Sequence, residues 1–189
     1  MKSIVKNLVV ILLAIILIAI FIYAYIKNKK VDFSNNPIEY TQSTNMKIES
    51  RVFENSIIPI QYTCDGESLG IPLIISNVPK GTQSLALIVD DPDAPSGDYV
   101  HWLVWNISPN TTDIATGVKP DGAVEGKNSS GKTDWVAPCP PSGDHHYNFK
   151  IYALDTALSI DESSDKIELL EVMNNHILDE ANLIGTYGR

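Results

Sequence analysis

The chain has 189 residues, of which 44% are hydrophobic and 20% are charged, a composition typical of one globular domain with an appendage. Its formal net charge is −9, and residues 1–30 hold five lysines and no acid, so the remainder is more acidic than the whole. A protein that neutralises nucleic-acid phosphates needs a basic surface, so the composition excludes nucleic acid as the partner of the body of the chain.

Residues 8–26 form an apolar stretch without a formal charge. At about 1.5 Å per residue, a helix of this length nearly spans a hydrocarbon core of about 30 Å. Tyr23 and Tyr25 lie near one end, where interfacial aromatic residues occur. We therefore predict an uncleaved signal anchor over residues 1–30, which makes this a single-pass membrane protein with an extracytoplasmic domain. The alternative is a cleaved signal peptide and a secreted domain.

The polar residues 31–45 predict a linker between this anchor and a globular domain over residues 46–189. The domain holds both cysteines of the chain, Cys64 and Cys139. An even count in an exported domain permits one disulfide, whereas two free buried thiols fit the spacing equally well.

Short apolar runs separated by turn signals predict a mainly β domain. Strands are expected over residues 46–53, 57–62, 72–75, 85–89, 101–107 and 147–154. Pro59 interrupts the second run, so that strand is expected at a sheet edge. Residues 109–133 are polar and glycine-rich and predict a long loop, and the closely spaced prolines that follow predict a rigid extended segment over residues 135–143.

The last segment of the chain predicts a helix. Asp165 can cap its start, and Glu168 three residues later completes the pattern of a capping box. Apolar residues recur at helical spacing from Ile167 to Ala181, and Gly185 fits a helix end. His176 is expected on this helix as a packed or surface residue.

Three carboxylates and two prolines follow the apolar run of residues 85–89. Proline restricts its own φ and the residue before it, so the loop that begins at Asp91-Pro92-Asp93 should be stiff. A stiff loop can aim two carboxylates at one ligand, although Asp and Pro are also common in solvated turns.

His101 begins the next predicted strand. If that strand runs antiparallel to residues 85–89, His101 lies near Asp91 at the same end of the sheet. A histidine that only ends a sheet edge is the alternative. Strict alternation would place four side chains of this strand on one face: His101, Leu103, Trp105 and Ile107.

His145 and Tyr147 follow the proline-rich segment and add polar groups on rigid backbone. A nearby carboxylate raises a histidine pKa, and both imidazolium and a tyrosine hydroxyl donate hydrogen bonds. With Asp91 and His101 they predict a small anion pocket walled by prolines. The histidines lack the usual metal-ligand spacing and no Gly-x-Ser-x-Gly motif marks a nucleophile, so no metal, cofactor or catalytic residue is predicted.

Several motifs occur in order along the chain: Asp91-Pro92-Asp93-Ala94-Pro95, then His101-Trp102, then Pro-Cys-Pro-Pro-Ser-Gly-Asp-His-His-Tyr at residues 138–147. Tyr-Thr-Cys-Asp-Gly at residues 62–66 and Gly-Thr-Tyr-x-Arg at residues 185–189 accompany them. Together they closely resemble the phosphatidylethanolamine-binding protein family over residues 47–189. The similarity is strongest to its bacterial and archaeal branch, the Raf kinase inhibitor-like proteins.

The resemblance implies a large antiparallel sheet packed on a smaller one with a few peripheral helices, here preceded by the N-terminal transmembrane helix. It also implies a pocket for phosphate-like groups, phospholipid head groups included, and modulation of kinases or proteases rather than an established reaction. The ligand-binding residues that match the family motifs are Asp91, Pro92, Asp93, His101, Pro140, Pro141, His145 and Tyr147.

The chain departs from the family pattern at His146, which stands where Arg is usual, so a permanent cation is lost. Gly70-Ile71-Pro72 and Ile75 replace the usual Ser-Pro-Pro and a frequent Trp. We expect a membrane-tethered protein that binds a small anionic or phosphorylated ligand. The alternatives are an inhibitor-like module that docks a kinase or protease and, third, a weak hydrolase. We also predict a disulfide between the two cysteines.

Overall fold

The computed structural model describes residues 45–116 and 118–189. The predicted anchor over residues 1–30 lies outside the described residues, as does the predicted linker apart from its last residue. Among the described residues, none of the helices has the length and apolar character that a membrane span requires.

Two antiparallel sheets form the domain, so the prediction of a mainly β fold with a large and a small sheet is confirmed. The small sheet has the order β1-β2-β5. Its strands are short, and their bounds are Lys47–Glu49 for β1, Leu73–Ser76 for β2 and Asp113–Ile114 for β5.

The large sheet has the order β6-β4-β3-β7-β8. Its strands are Ser84–Asp91 for β3, Tyr99–Ile107 for β4, Val124–Glu125 for β6, Asp144–Leu154 for β7 and Ile177–Gly188 for β8. β3, at the centre, is buried along its whole length because it is covered on both faces. The polar ends of β3, β4 and β7 therefore sit on a rigid support.

The two faces of the large sheet pack against different elements. The front face, with Leu87 and Val89 of β3, packs on the small sheet and forms the larger apolar cluster. The back face, with Ala86 and Ile88 of β3, is covered by helix α1 (Lys166–Met173) through its buried residue Leu169. Successive residues of a strand point to opposite faces, so the apolar residues of β3 alternate between these two clusters.

Helix α1 begins as predicted and ends earlier than predicted. The Asp165 side chain accepts hydrogen bonds from the amides of Ile167 and Glu168, and the Glu168 side chain accepts from the Asp165 amide, so the capping box is confirmed. The helix ends at Met173, and Asn175 turns the chain with a φ of 66°.

The prediction that the helix continues to Ala181 and stops at Gly185 is wrong. Ile177–Gly188 is strand β8, which pairs antiparallel with the whole of β7. Ala181 and Leu183 pack on the front-face cluster at a spacing of two residues. Apolar residues at positions 177 and 181 fit both periodicities, and the long ladder with β7 decides the outcome. His176 lies in the turn, where it pairs with exposed Asp155.

Residues 57–62 are not the predicted edge strand. They make only isolated bridges, from Ile57 to Glu54 and Thr186, and continue into a 3₁₀ helix over Ile60–Tyr62. Pro59 precedes this helix in extended geometry and donates no amide hydrogen bond, which suits a helix start better than a strand interior.

The predicted facing of β4 is also wrong. Leu103 and Trp105 belong to the back-face cluster, whereas Ile107 belongs to the front-face cluster and His101 packs on front-face Tyr147. The ladder with β3 is irregular at two places, and Asn106 adopts a φ of 55°. Each irregularity reverses the alternation of side chains, so strict period-two reasoning fails at both ends of the strand.

Candidate functional site

A cavity of about 240 Å³ lies where β3 ends, β4 begins and β7 begins. β3 and β4 are antiparallel, and Asp91 at the end of β3 pairs with Tyr99 at the start of β4. The residues that line the cavity are Asp91, Ala94, Pro95, Ser96, Tyr99, His101, Val136, Ala137, Cys139, Pro140, Pro141 and His145.

Asp91 and His145 form a buried pair at the cavity. The Nδ1 atom of His145 lies 2.7 Å from Oδ2 of Asp91, and the two side chains are 7% and 5% exposed. The other carboxylate oxygen accepts a hydrogen bond of 2.9 Å from the Asp93 amide. An ionised carboxylate only accepts, so Nδ1 of His145 carries the proton that it donates, and Nε2 is the atom that can face a ligand.

His101 has a buried ring nitrogen without a partner. Its Nδ1 lies 2.7 Å from the carbonyl oxygen of Val136, which accepts, so Nδ1 is the protonated nitrogen. Its Nε2 is buried and has no hydrogen-bond partner among the residues that the structure describes. Leaving a buried polar atom unsatisfied costs free energy, so Nε2 of His101 is a candidate contact for a ligand group.

Burial lowers the pKa of His101 below its ordinary value, against the opposing effects of the Val136 carbonyl and of Asp91. The neutral form with a proton on Nδ1 therefore predominates at neutral pH, and Nε2 is then an acceptor. Protonation turns Nε2 into a charged donor. His101 can thus bind a ligand hydroxyl when neutral or an anionic oxygen when protonated.

Tyr147 lies behind the histidines and does not line the cavity. It is buried on the front face, and its ring centroid is 5.2 Å from that of His101. Burial, and then the charge of Asp91, raise the pKa of its hydroxyl, so Tyr147 stays protonated. In this arrangement its ring supports His101 by edge-to-face packing.

Pro92 and Asp93 also lie outside the cavity lining. The Oδ2 atom of Asp93 accepts from Nδ1 and from the backbone amide of His146, at 2.7 and 2.8 Å. These hydrogen bonds to His146 lower the pKa of the Asp93 carboxyl. Both side chains of the pair are about half exposed, so the residue that replaces the usual Arg faces solvent and holds the loop.

Tyr99 is the main cavity residue that sequence reasoning missed. It lines the cavity, and its ring centroid lies 5.0 Å from that of His101. The signal that could have identified Tyr99 is its position opposite Asp91 in the antiparallel pair. Residues at the end of one strand and at the start of the next lie at the same edge of the sheet. Ser96 and Val136 also line the cavity and carried no sequence signal.

Cys64 and Cys139 are joined by a disulfide, with Cα atoms 5.3 Å apart. Both residues are exposed, and Cys139 lines the cavity between Ala137 and Pro140. The bridge therefore ties the extended proline-rich wall to the turn that follows the 3₁₀ helix. Within the described part of the chain, no group of three or more His, Cys, Asp or Glu side chains is arranged to hold a metal ion.

The fold and the cavity define a two-sheet β domain of the binding-protein class, with a small half-enclosed site at one end of its main sheet. Residues 49–188 match the family model described as phosphatidylethanolamine-binding protein, and the chain belongs to that family. The resemblance noted in the motifs is thereby confirmed.

The relatives include archaeal and bacterial proteins. A UPF0098 protein of Methanothermobacter thermautotrophicus is 46% identical over 150 residues, which cover 76% of this chain and 99% of the relative. The crystal structure of a phosphatidylethanolamine-binding protein homologue from Chlamydia trachomatis is 41% identical with a TM-score of 0.74, and the match covers 78% of this chain and 99% of that one. A Mycobacterium tuberculosis protein named as a candidate lipoprotein, LppC, is 37% identical over 75% of this chain and 72% of its own length.

Proposed function

We propose that this protein is a membrane-tethered binding protein that holds a small phosphorylated ligand, inorganic phosphate or a phospholipid head group, in the cavity at the end of β3. The observation that carries the proposal is Nε2 of His101, which has no partner among the described residues and is buried beside a second histidine that Asp91 orients. Both histidines line one small cavity, and the Nε2 atom of each ring becomes a donor to a phosphate oxygen when that ring is protonated.

The size of the cavity supports a small ligand. Its volume of about 240 Å³ lies below the range of about 300–1,000 Å³ that drug-sized ligands occupy. Its walls combine the apolar faces of Pro140 and Pro141 with the polar Asp91 and His101. This combination suits a compact polar group that carries an organic substituent toward solvent, such as a phosphomonoester or phosphodiester.

The proposal is binding without turnover. A hydrolase needs a nucleophile activated by an adjacent base. Of the candidate nucleophiles at the cavity, Cys139 has its sulfur in the disulfide, and Ser96 is exposed on the loop. Both histidines use Nδ1 to donate, to Val136 and Asp91, so their remaining nitrogens serve the ligand.

Three observations support a tether and an extracytoplasmic domain. Residues 8–26 have the length and composition of a signal anchor. The relative LppC is named as a candidate lipoprotein, which is another form of membrane attachment. The disulfide between exposed cysteines suits an oxidising compartment.

Phosphate titration of the full-length chain in detergent micelles, followed by NMR of the histidine rings from about pH 8 to about pH 5, tests the function. We expect shifts at His101 and His145 that saturate with phosphate, and no shift at His176, whose exposed pair with Asp155 makes it the internal control. Glycerophosphoethanolamine in place of phosphate tests whether the substituent adds affinity. A folded chain whose cavity histidines do not respond would reject the anion site and favour the alternative, a module that docks a kinase or protease.

A further inference from the structure

Asp90, the residue before Asp91, lies on the back face of the large sheet in a network of its own. Its side chain is 1% exposed and accepts hydrogen bonds from two lysines. Nζ of Lys150 lies 3.0 and 2.8 Å from the two carboxylate oxygens, and Nζ of Lys166 lies 2.6 Å from Oδ2. A buried carboxylate is tolerated only when it is paired in this way.

Lys166 differs from Lys150 because it has a second partner. Lys166 is the first residue of α1, and its ammonium group also contacts the carboxylate of Asp98. Burial opposes its charge, but the hydrogen bonds to Asp90 and Asp98 outweigh burial and leave the pKa of Lys166 above its ordinary value. Lys150, by contrast, is paired with Asp90 alone among the described side chains.

Through these contacts, the side chain of Lys166 binds residues near both ends of one loop. Residues 92–98 connect β3 to β4, so Asp90 lies just before the loop and Asp98 is its last residue. Three residues of this loop line the cavity: Ala94, Pro95 and Ser96. A single ammonium group on the back face thus bridges the strand end and the loop that forms one wall of the front-face site.

We propose that Lys166 is a positioning residue for the cavity, which fixes the 92–98 loop by joining Asp90 to Asp98 from behind the sheet. It has no contact with the cavity itself, so it acts through the loop. The expected effect of Lys166 on phosphate binding rests on the proposed function. The effect of Lys166 on the order of the 92–98 loop is independent of any ligand.

Two lysine variants of the full-length chain test this. Lys166→Ala and Lys150→Ala each remove one positive charge and one partner of Asp90, but only Lys166→Ala releases Asp98. We expect Lys166→Ala to weaken inorganic phosphate binding about fivefold, the size typical of a residue that acts through an intervening element, and Lys150→Ala to leave it nearly unchanged. Equal losses in the two variants would overturn the proposal.

Asp98→Ala separates positioning from charge. It keeps the buried contact between Lys166 and Asp90, and Asp98 is 44% exposed, so the fold is not at risk. Removing a negative charge near the cavity would strengthen phosphate binding through space, whereas loss of the loop contact weakens it. Weaker binding supports the proposal, and unchanged or tighter binding overturns it.

Amide hydrogen exchange without ligand gives the second readout. The Gly97 amide donates to the Ala94 carbonyl at 2.9 Å, a contact that reports order in the loop. We expect faster exchange at Gly97 in Lys166→Ala and Asp98→Ala but not in Lys150→Ala. If the unaltered protein fails to bind phosphate, the proposed function fails, and this exchange pattern alone decides whether Lys166 holds the loop.

Discussion

Two adjacent carboxylates of β3, Asp90 and Asp91, meet opposite environments because neighbouring residues of a strand face opposite sides. On the back face, Asp90 is held by the ammonium groups of Lys150 and Lys166. On the front face, Asp91 pairs with His145 and borders a cavity that is also lined by His101, whose Nε2 has no partner in the part of the chain that the structure describes. Permanent cations give the back face a fixed structure, whereas under the proposed function the imidazole rings beside the cavity make the front face respond to ligand and pH.

The largest effect is expected from the disulfide, which belongs to the front face alone. Replacing Cys64 and Cys139 by Ser should lower the free energy of unfolding by about 4 kcal/mol, since the bridge closes a separation of 75 residues. Urea unfolding of the two proteins measures the difference. Phosphate affinity should fall as well, because Cys139 is part of the cavity wall.

Treatment of the native chain with a dithiol reductant should reproduce both losses, and the serine variant should not respond to it. A variant that loses stability but binds phosphate as tightly as the native chain would show that the proline-rich wall keeps its position without the bridge.

The next effect separates the two carboxylates directly. Asp90→Asn should lower the free energy of unfolding by about 3 kcal/mol, because it breaks a buried ionic network and leaves two lysines beside an amide. Asp91→Asn should cost only about 1 kcal/mol, since an amide oxygen can still accept one of the two hydrogen bonds. Urea unfolding of both variants under identical conditions measures the two costs.

Phosphate affinity should rank the same variants in the opposite order. Asp91→Asn should weaken binding about tenfold through the lost orientation of His145, and Asp90→Asn should weaken it less. Titration calorimetry at a pH where both variants are folded gives the comparison. The distinction between a structural back face and a binding front face would be wrong if both variants lost stability and affinity in the same proportion.

A smaller effect is expected from pH, and it has opposite signs for folding and for binding. The ordinary pKa of His101 is 6.5, and burial lowers it in the folded domain. As pH falls below 6.5, the unfolded chain takes up this proton first, so the contribution of His101 to stability, which is present above that pH, is lost. A bound anion favours the imidazolium form, so phosphate affinity should rise over the same interval.

His101→Asn serves as the control, because the amide can still donate to the Val136 carbonyl but does not titrate. Its unfolding free energy should depend less on pH than that of the native chain, and its phosphate affinity should increase less on acidification. Calorimetry in two buffers of different ionisation enthalpy should detect more proton uptake on binding in the native chain than in the variant.

The smallest effect is expected at His146. His146→Arg introduces the residue usual in the family at a position where the side chain is 57% exposed and bound to Asp93 outside the cavity. We expect phosphate affinity and thermal stability to change little, because exposed pairs contribute little to either. A large gain in affinity would show that a cation at this position reaches the cavity once a ligand is bound.

The parts of this fold that sequence predicts are those where one periodicity dominates. β3 was predicted because its apolar residues form an unbroken run, and it is buried along its whole length. β7 was predicted because apolar and polar residues alternate along it, and buried positions alternate with more exposed ones over its first half. The start of α1 was predicted because the capping box of Asp165 and Glu168 is a local signal. The end of α1 was predicted wrongly, because residues 177–188 become a strand only through pairing with β7, which is distant in sequence.

The sequence predicts which chemical groups the candidate site contains better than it predicts how those groups are arranged. Antiparallel pairing correctly predicts that His101 lies near Asp91. The prediction that Leu103, Trp105 and Ile107 share the face of His101 is wrong, because the sequence does not reveal the bulges in this ladder. Pro92 and Asp93 belong to the strongest sequence motif, but they lie outside the cavity lining and shape the 92–98 loop. Tyr99 lines the cavity without any motif, since its contact depends on register.

The position of β8 at the edge of the large sheet affects how the protein assembles during synthesis. β8 supplies the partners of β7, including Tyr187 opposite His145, and Asp179 accepts from the amide of Met46 across 133 residues. Folding rates fall as such long-range contacts increase, because the chain loses entropy before they form. Nearly the whole domain must therefore be synthesised before its main sheet can be completed, because β8 is the last strand in chain order.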